Sequence, residues 1–257
     1  MRDLDETLRA PLAALTEALQ RARRIVALTG AGASTDSGLP DFRSDDGLWG
    51  EHDPMAVASI EGFRQHPARF YAFWKERFRG LVAARPNITH RVLAALEARG
   101  LLRAVVTQNI DGLHHKGGSR EVMEVHGSAA TASCIACRRA APVSEVLAQV
   151  AADRVPRCAA CGGLVKPDVV LFGEDLPPAI QAAAQAVAGA DLLVVLGSSL
   201  EVHPVAGLVP HAASHGTRVA IVNREPTSLD HLADVVVHAS LSPVMRHLDV
   251  ALDLRLE

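Results

Sequence analysis

Leu4, Leu8, Leu12, Leu15 and Leu19 recur every three or four positions along residues 4–23, the period of a helix with one apolar face. A short apolar run, Ile25 to Leu28, follows at once. It is apolar throughout, which predicts a strand covered on both faces, as in a parallel sheet. The same pairing returns along the chain. Residues 88–99 read as a helix with Val92, Leu93 and Leu96 inward, and Leu101 to Val106 as a second strand. Asp191 to Leu196, Val219 to Val222 and Val235 to Val237 read as further strands, and Leu241 to Leu254 as a closing helix. Apolar strands alternating with helices predict an α/β fold, a Rossmann-like parallel sheet with helices on both faces. Residues 44–85 depart from this pattern. Pro54 and Pro67 divide them into short helices, and Phe63, Phe70, Tyr71, Phe73, Trp74 and Phe78 form an aromatic cluster that is expected to pack as core.

Polar residues gather where the predicted strands end, and ligands of open α/β sheets bind beyond those ends. After Leu28 come Gly30, Ala31, Gly32 and Ser34. A strand, a glycine turn and a helix start would present free backbone N–H groups to a diphosphate. The dinucleotide fingerprint is partial, because its third small position is Thr35; an ordinary strand-to-helix turn fits these residues too. The tail that follows, Gly38-Leu39-Pro40-Asp41-Phe42-Arg43, is too polar and too broken for a helix interior. Gln108-Asn109-Ile110-Asp111 stands at the end of the second strand, and Gly197-Ser198-Ser199 and Asn223 close two later ones. Asn and Asp also favour turns for local reasons, and glycine–hydroxyl turns cap helices. His126 is one of 12 histidines, so spacing by itself does not select it over a structural role.

Cys134, Cys137, Cys158 and Cys161 are all the cysteines in the chain. Two CxxC pairs separated by 20 residues fit a four-thiolate structural zinc site with no coordination position left for chemistry.

Gly30-Ala-Gly-Ala-Ser34, Gly38-Leu-Pro-Asp-Phe-Arg43, Gln108-Asn-Ile-Asp111, His126-Gly127, the two CxxC pairs and Gly197-Ser-Ser199 stand in the order of the sirtuin motifs. The chain therefore resembles the sirtuins, NAD-dependent protein deacylases, of bacterial or archaeal type, over roughly residues 24–240. The resemblance implies an NAD-binding domain from residues 1–43, 86–126 and 165–257. It also implies a small domain made of a helical module, 44–85, and a zinc ribbon, 127–164. By the same resemblance, NAD is the co-substrate and one structural Zn²⁺ is held per chain. Gly30, Ala31, Gly32, Ser34, Asp41, Phe42, Arg43, Gln108, Asn109, Asp111, Gly197, Ser198, Ser199 and Asn223 are implied to contact NAD. His126 would be the general base, assisted by Asn109. Val169, Phe172, Gly173, Glu174 and Val202 would flank an acyl-lysine peptide bound in extended form. The products implied are nicotinamide, free lysine and O-acetyl-ADP-ribose. Sirtuins that prefer succinyl or malonyl lysine carry an arginine three residues after a tyrosine. Here Trp74 follows Tyr71 at that distance, and an apolar ring leaves a buried carboxylate unpaired. A further NAD contact is expected around Ala239 to Leu241.

Composition narrows the remaining classes. At 257 residues and 49% hydrophobic, the chain can bury one large core and a small satellite. A net charge of -3 argues against a general nucleic-acid binder. No run of 18 apolar residues or signal-peptide pattern is present, so a cytoplasmic enzyme acting away from membranes, with a monomer favoured, is the expectation. Two other functions fit parts of the sequence: a protein mono-ADP-ribosyltransferase using the same NAD site, and a zinc-ribbon nucleic-acid-binding protein. The second is weak, because no aromatic residue lies between the cysteine pairs to stack on a base.

Overall fold

The computed structural model describes residues 6–41 and 53–256. Among these, the strands are β1 (Ile25–Thr29), β2 (Leu102–Thr107), β3 (Val122–Glu124), β4 (Gly127–Cys134), β5 (Ala140–Ala141), β6 (Val165–Val169), β7 (Leu192–Leu196), β8 (Arg218–Asn223) and β9 (Val235–His238). The α-helices are α1 (Arg9–Arg21), α2 (Pro54–Val57), α3 (Ile60–Gln65), α4 (Pro67–Ala83), α5 (Ile88–Ala98), α6 (Leu113–Lys116), α7 (Val143–Ala151), α8 (Ala179–Ala188), α9 (Leu208–Ser214) and α10 (Leu241–Ala251). None of them is long and apolar enough to cross a membrane.

Six strands form a parallel sheet in the order β3-β2-β1-β7-β8-β9. Successive side chains of a strand point to opposite faces, so each apolar run feeds two cores. Ile25, Ala27, Leu192, Val194 and Leu196 pack with α1, α5 and α10. Val26, Leu28, Leu193 and Val195 pack with α8 and α9. Both faces are covered by helices, as the unbroken apolar runs predict. The chain leaves β1 for β2 on one side and later places β7 on the other. That reversal opens a crevice beyond the ends of β1 and β7, where ligands of such sheets bind.

The aromatic stretch is core. Phe63 and Phe70 are fully buried, and their rings meet edge to face at 4.9 Å. The Tyr71 hydroxyl donates to the Val165 carbonyl at 2.5 Å, and the Trp74 indole N–H to the Val57 carbonyl at 2.9 Å. Burial pushes the Tyr71 phenol pKa well up. Proline stands at the first turn of both α2 and α4, where its missing N–H costs nothing. Only the segments before Pro67 are short; α4 runs 17 residues.

Two boundaries differ from expectation. The closing helix stops at Ala251 rather than Leu254, although Leu254 remains buried against the same core. More consequentially, residues 165–169 do not belong to the large sheet. β6 pairs antiparallel with β4 in a three-stranded sheet, β5-β4-β6. Val165, Val169 and Leu171 pack in the aromatic core with Phe70, Trp74 and Phe78. The resemblance places residues 165–174 in the large unit, but the partners of β6 are the ribbon and the helical module. The chain rejoins the large unit at α8, whose Ala183 and Val187 pack beneath that sheet.

Candidate functional site

The crevice is built from two glycine turns pressed together. A Cβ on Gly30 would lie 2.7 Å from the Gly197 oxygen, and one on Gly32 2.8 Å from the Gly197 Cα. Gly197 itself has φ +61°, which glycine adopts without strain. The glycines are therefore required first by one another. The N–H groups of Gly30, Gly32, Ala33 and Ser34 donate to Leu196, Gly197, Gly30 and Ala31 carbonyls. The expected row of free donors at a helix start is thus largely spent within the protein. The chain after β1 makes two short 3-10 turns, Ala31–Ala33 and Thr35–Ser37, rather than an α-helix.

Side chains supply the polarity instead. Ser34, 2% exposed, donates from its hydroxyl to Asp111 Oδ2 at 2.7 Å and accepts from Asn109 Nδ2 at 3.1 Å. Asn109 Nδ2 also reaches the Gly30 carbonyl at 3.0 Å. Asp111 Oδ1 accepts the Leu113 N–H at 2.8 Å, which starts α6. Sequence motifs far apart in the chain are thereby joined in one hydrogen-bonded cluster.

Behind the cluster lies a second layer that sequence reasoning missed. His90 Nε2 is 3.5 Å from Ser34 Oγ, and its ring lies 4.7 Å from that of His114. His114 Nε2 is 2.9 Å from Thr29 Oγ1, which donates to Thr107 Oγ1 at 2.8 Å. Thr107 Oγ1 in turn accepts the Asn109 N–H at 3.1 Å. Burial, which Asp111 partly offsets, holds the His90 pKa down at about 4. Burial, with His90 and His115 adding to it, holds His114 at about 3. Both rings are thus neutral near pH 7. One signal was available: Asn87 caps α5 while His90, three residues on, accepts the Asn87 N–H, a reciprocal capping box. A box that closes through histidine rather than glutamate holds that ring inward.

Gln108 connects the two sides of the crevice. Its side chain donates to Ser198 Oγ at 2.9 Å, and its carbonyl faces His126 Nδ1 at 3.2 Å. A carbonyl only accepts, so Nδ1 carries the proton and Nε2 presents a lone pair. Burial lowers the His126 pKa, and the Gln108 bond partly opposes that shift. The half-buried ring is therefore an unprotonated base near neutral pH. His126 occupies the junction between β3 of the large sheet and β4 of the small one.

The remaining candidates divide. Ala31, Ser199 and Asn223 are half-buried at the crevice ends of β1, β7 and β8, and Asn223 accepts the Ala239 N–H at 3.1 Å. Asp41 is half-buried, while Phe42 and Arg43 lie outside the described residues. Val202 is half-buried after the second glycine turn. Val169 ends β6; Phe172 is 39% exposed, and Gly173 turns the chain at φ +87°. The Glu174 carboxylate pairs with Lys166 Nζ at 3.0 Å.

The sulfurs of Cys134, Cys137, Cys158 and Cys161 all lie within 4.8 Å of one another, with contacts of 3.5 and 3.7 Å. Four thiolates about 2.3 Å from a tetrahedral Zn²⁺ stand roughly 3.8 Å apart, so the cluster fits the metal. Cys134 ends β4, and Cys158 and Cys161 flank a tight turn closed by the bond from the Gly162 N–H to the Cys158 carbonyl.

Comparison with known proteins decides the family. The model of the Sir2 family matches residues 30–204, well over half of the chain. The chain belongs to the Sir2 family. A Caldivirga maquilingensis NAD-dependent protein deacetylase is 45% identical to it over 228 residues, 88% of each chain. One from Chromobacterium violaceum is 45% identical over 237 residues, 91% of this chain and 95% of that one. A solved Sir2 variant with a deacetylated p53 peptide and 3'-O-acetyl-ADP-ribose superposes with TM-score 0.89 at 37% identity, covering 93% of this chain and 97% of the other. The Sir2 match spans the glycine turn, the Gln108–Asp111 segment, His126 and all four cysteines, so the resemblance drawn from the motifs holds at the level of the whole fold.

Proposed function

We infer that this Sir2 chain is an NAD-dependent protein lysine deacetylase that transfers the acyl group from lysine to ADP-ribose, releasing nicotinamide and O-acetyl-ADP-ribose. The observation that carries the inference is His126. Its Nδ1 faces the Gln108 carbonyl at 3.2 Å, which leaves Nε2 with a lone pair, and Gln108 adjoins Asn109 of the Ser34–Asn109–Asp111 cluster.

NAD, when bound, supplies the ribose carbon that takes up the acyl oxygen as nicotinamide departs. The chain's own residues bind and orient. The turn of Gly30, Ala31, Gly32 and Ser34, with Gly197, Ser198 and Ser199, would cradle the diphosphate. Asn223 would face the adenosine ribose, with the backbone at Ala239 to Leu241 beside it. Gln108, Asn109, Asp111 and the Asp41-Phe42-Arg43 segment would enclose the nicotinamide end. His126 Nε2 would take a proton from a ribose hydroxyl. An extended acyl-lysine peptide would lie between Val202 and the main chain of Val169, Phe172, Gly173 and Glu174, a strand-addition mode that reads backbone more than sequence. The zinc would hold the ribbon and do no chemistry. Residues 1–43, 86–126 and the chain from α8 onward would form the NAD-binding unit, and 44–85 with 127–174 the small one. Cytoplasmic action as a monomer, without nucleic acid, rests on composition and charge. Trp74 in place of an arginine favours neutral acyl groups.

The test is nicotinamide release from NAD with acetyl-, succinyl- and long-chain acyl-lysine peptides, beside His126→Ala. Acetyl-dependent release that falls about 10²–10⁴-fold in the variant is expected for loss of a general base. Transfer of ADP-ribose to protein with no lysine deacylation would replace this function with mono-ADP-ribosylation.

A further inference from the structure

Lys166 is 7% exposed in the middle of the small unit, on β6. An ammonium has three N–H bonds, and each has a named acceptor here. Nζ donates to the carbonyls of Pro167 at 3.1 Å and Val169 at 2.6 Å, and pairs with Glu174 Oε2 at 3.0 Å. That same oxygen accepts the Leu171 N–H at 2.9 Å, and the Glu174 N–H donates to the Leu171 carbonyl at 3.0 Å. The ion pair therefore gathers main-chain groups from both ends of residues 167–174. Buried backbone groups left without partners carry a desolvation cost, and the ion pair supplies partners to the Pro167 and Val169 carbonyls and the Leu171 N–H.

On its other side the segment is tied to the helical module. The Phe172 N–H donates to the Ala58 carbonyl, and its own carbonyl accepts from the Ile60 N–H. Between these anchors the Phe172 ring stays partly exposed, and Gly173 sits at φ +87°.

We propose that Lys166 and Glu174 are positioning residues for substrate: an ion pair of a buried lysine and a half-buried glutamate that sets the main-chain edge at residues 169–174 on which the acyl-lysine peptide lies, while touching neither peptide nor NAD. The inference rests on the deacetylase function above and deepens it. It changes the part played by Glu174, whose side chain acts through the loop. A misplaced edge weakens peptide binding and leaves the two glycine turns, on the other sheet, unaltered; it does adjoin His126, whose carbonyl accepts the Val170 N–H at 2.8 Å.

The experiment uses the full-length, zinc-loaded protein with Lys166→Met, Lys166→Arg, Glu174→Gln and the double change Lys166→Met/Glu174→Met. Peptide KM, kcat, NAD affinity by calorimetry and zinc content are read for each. Lys166→Met is expected to raise peptide KM by about tenfold or more, because three acceptors lose their donor at once. NAD affinity and zinc content should stay within about twofold, since each is set elsewhere. Glu174→Gln, which keeps an acceptor of the same size, should raise KM less, and Lys166→Arg should recover part of the loss. The double variant should be no worse than Lys166→Met, because both changes remove one shared network. A parallel fall in NAD affinity or zinc content, or an unchanged peptide KM in Glu174→Gln, would each overturn the proposal. Should Lys166→Met not fold, Glu174→Gln and Lys166→Arg decide it by the same criteria. If the wild-type chain deacylates no peptide, the functional reading fails instead. Amide exchange at residues 169–174 then still reports whether Lys166 orders the loop: faster exchange in Lys166→Arg or Glu174→Gln supports that role, and unchanged exchange removes it.

Discussion

β7 and β4 stand for two ways of making a sheet in one chain. All five residues of β7 are buried, between aliphatic layers on both faces. β4 leaves Ala130 and Thr131 exposed and ends on Cys134, one of the four clustered cysteines. The large sheet is covered by apolar layers on both faces, whereas the three-stranded sheet includes a strand of only two residues and offers little apolar area of its own. The small unit makes up the difference with a packed aromatic cluster and four cysteine sulfurs, and its core joins α4, α7, β4 and β6. The proposed catalytic geometry depends on both arrangements, because His126 lies where one sheet passes into the other. A disturbance of the small unit should therefore reach the base and the substrate edge before it reaches the glycine turns.

The sharpest way to break this comparison is to remove the metal. Chelation, or Cys134→Ser, should loosen β4 and β6 by several kcal/mol, since structural zinc binding contributes directly to folding. Hydrogen exchange should show lost protection at residues 127–134 and 165–169 with β1, β7 and β8 unchanged. Simultaneous loss across all five strands would mean that the two sheets form one cooperative unit.

A smaller and opposite effect is expected from Gly32→Ala. Its Cβ would meet the Gly197 Cα at 2.8 Å, and relief of such overpacking costs about 1–3 kcal/mol. Thermal unfolding should register the loss together with weaker NAD binding, while zinc content stays constant. Unchanged NAD affinity would separate the packing of the turns from their ligand role.

The mildest test is pH. Folded His90 and His114 resist protonation until about pH 4 and about pH 3, whereas the unfolded rings titrate near 6.5. Below 6.5 the unfolded state binds more protons, so stability is full above that pH and declines as pH falls toward 4 and then 3. The denaturation midpoint of the large sheet should drop between pH 7 and pH 5. A flat midpoint over that interval would show that the rings accept protons in place.

Much of this chain was legible without a structure, for local reasons. Unbroken apolar runs such as Ile25 to Leu28 can be buried only between two layers, which specified a parallel sheet covered on both faces. The paired CxxC spacing specified four convergent thiolates, because each knuckle is a short local turn. The motifs at the strand ends and His126 marked the crevice, because sheet topology brings strand ends together wherever they stand in the chain. What tertiary structure alone decided was which groups are used up. It spent the glycine-turn N–H groups on internal carbonyls and the glycine space on a second turn. It drew β6 out of the large unit to pair with β4, buried His90 and His114 behind Ser34 and Thr29, and paired Glu174 with Lys166. Apart from the Lys166–Glu174 pair and the turn bonds of Ala33 and Ser34, each of these depends on a partner far away in the chain, and a one-dimensional pattern records a residue's chemistry but not the neighbour that satisfies it.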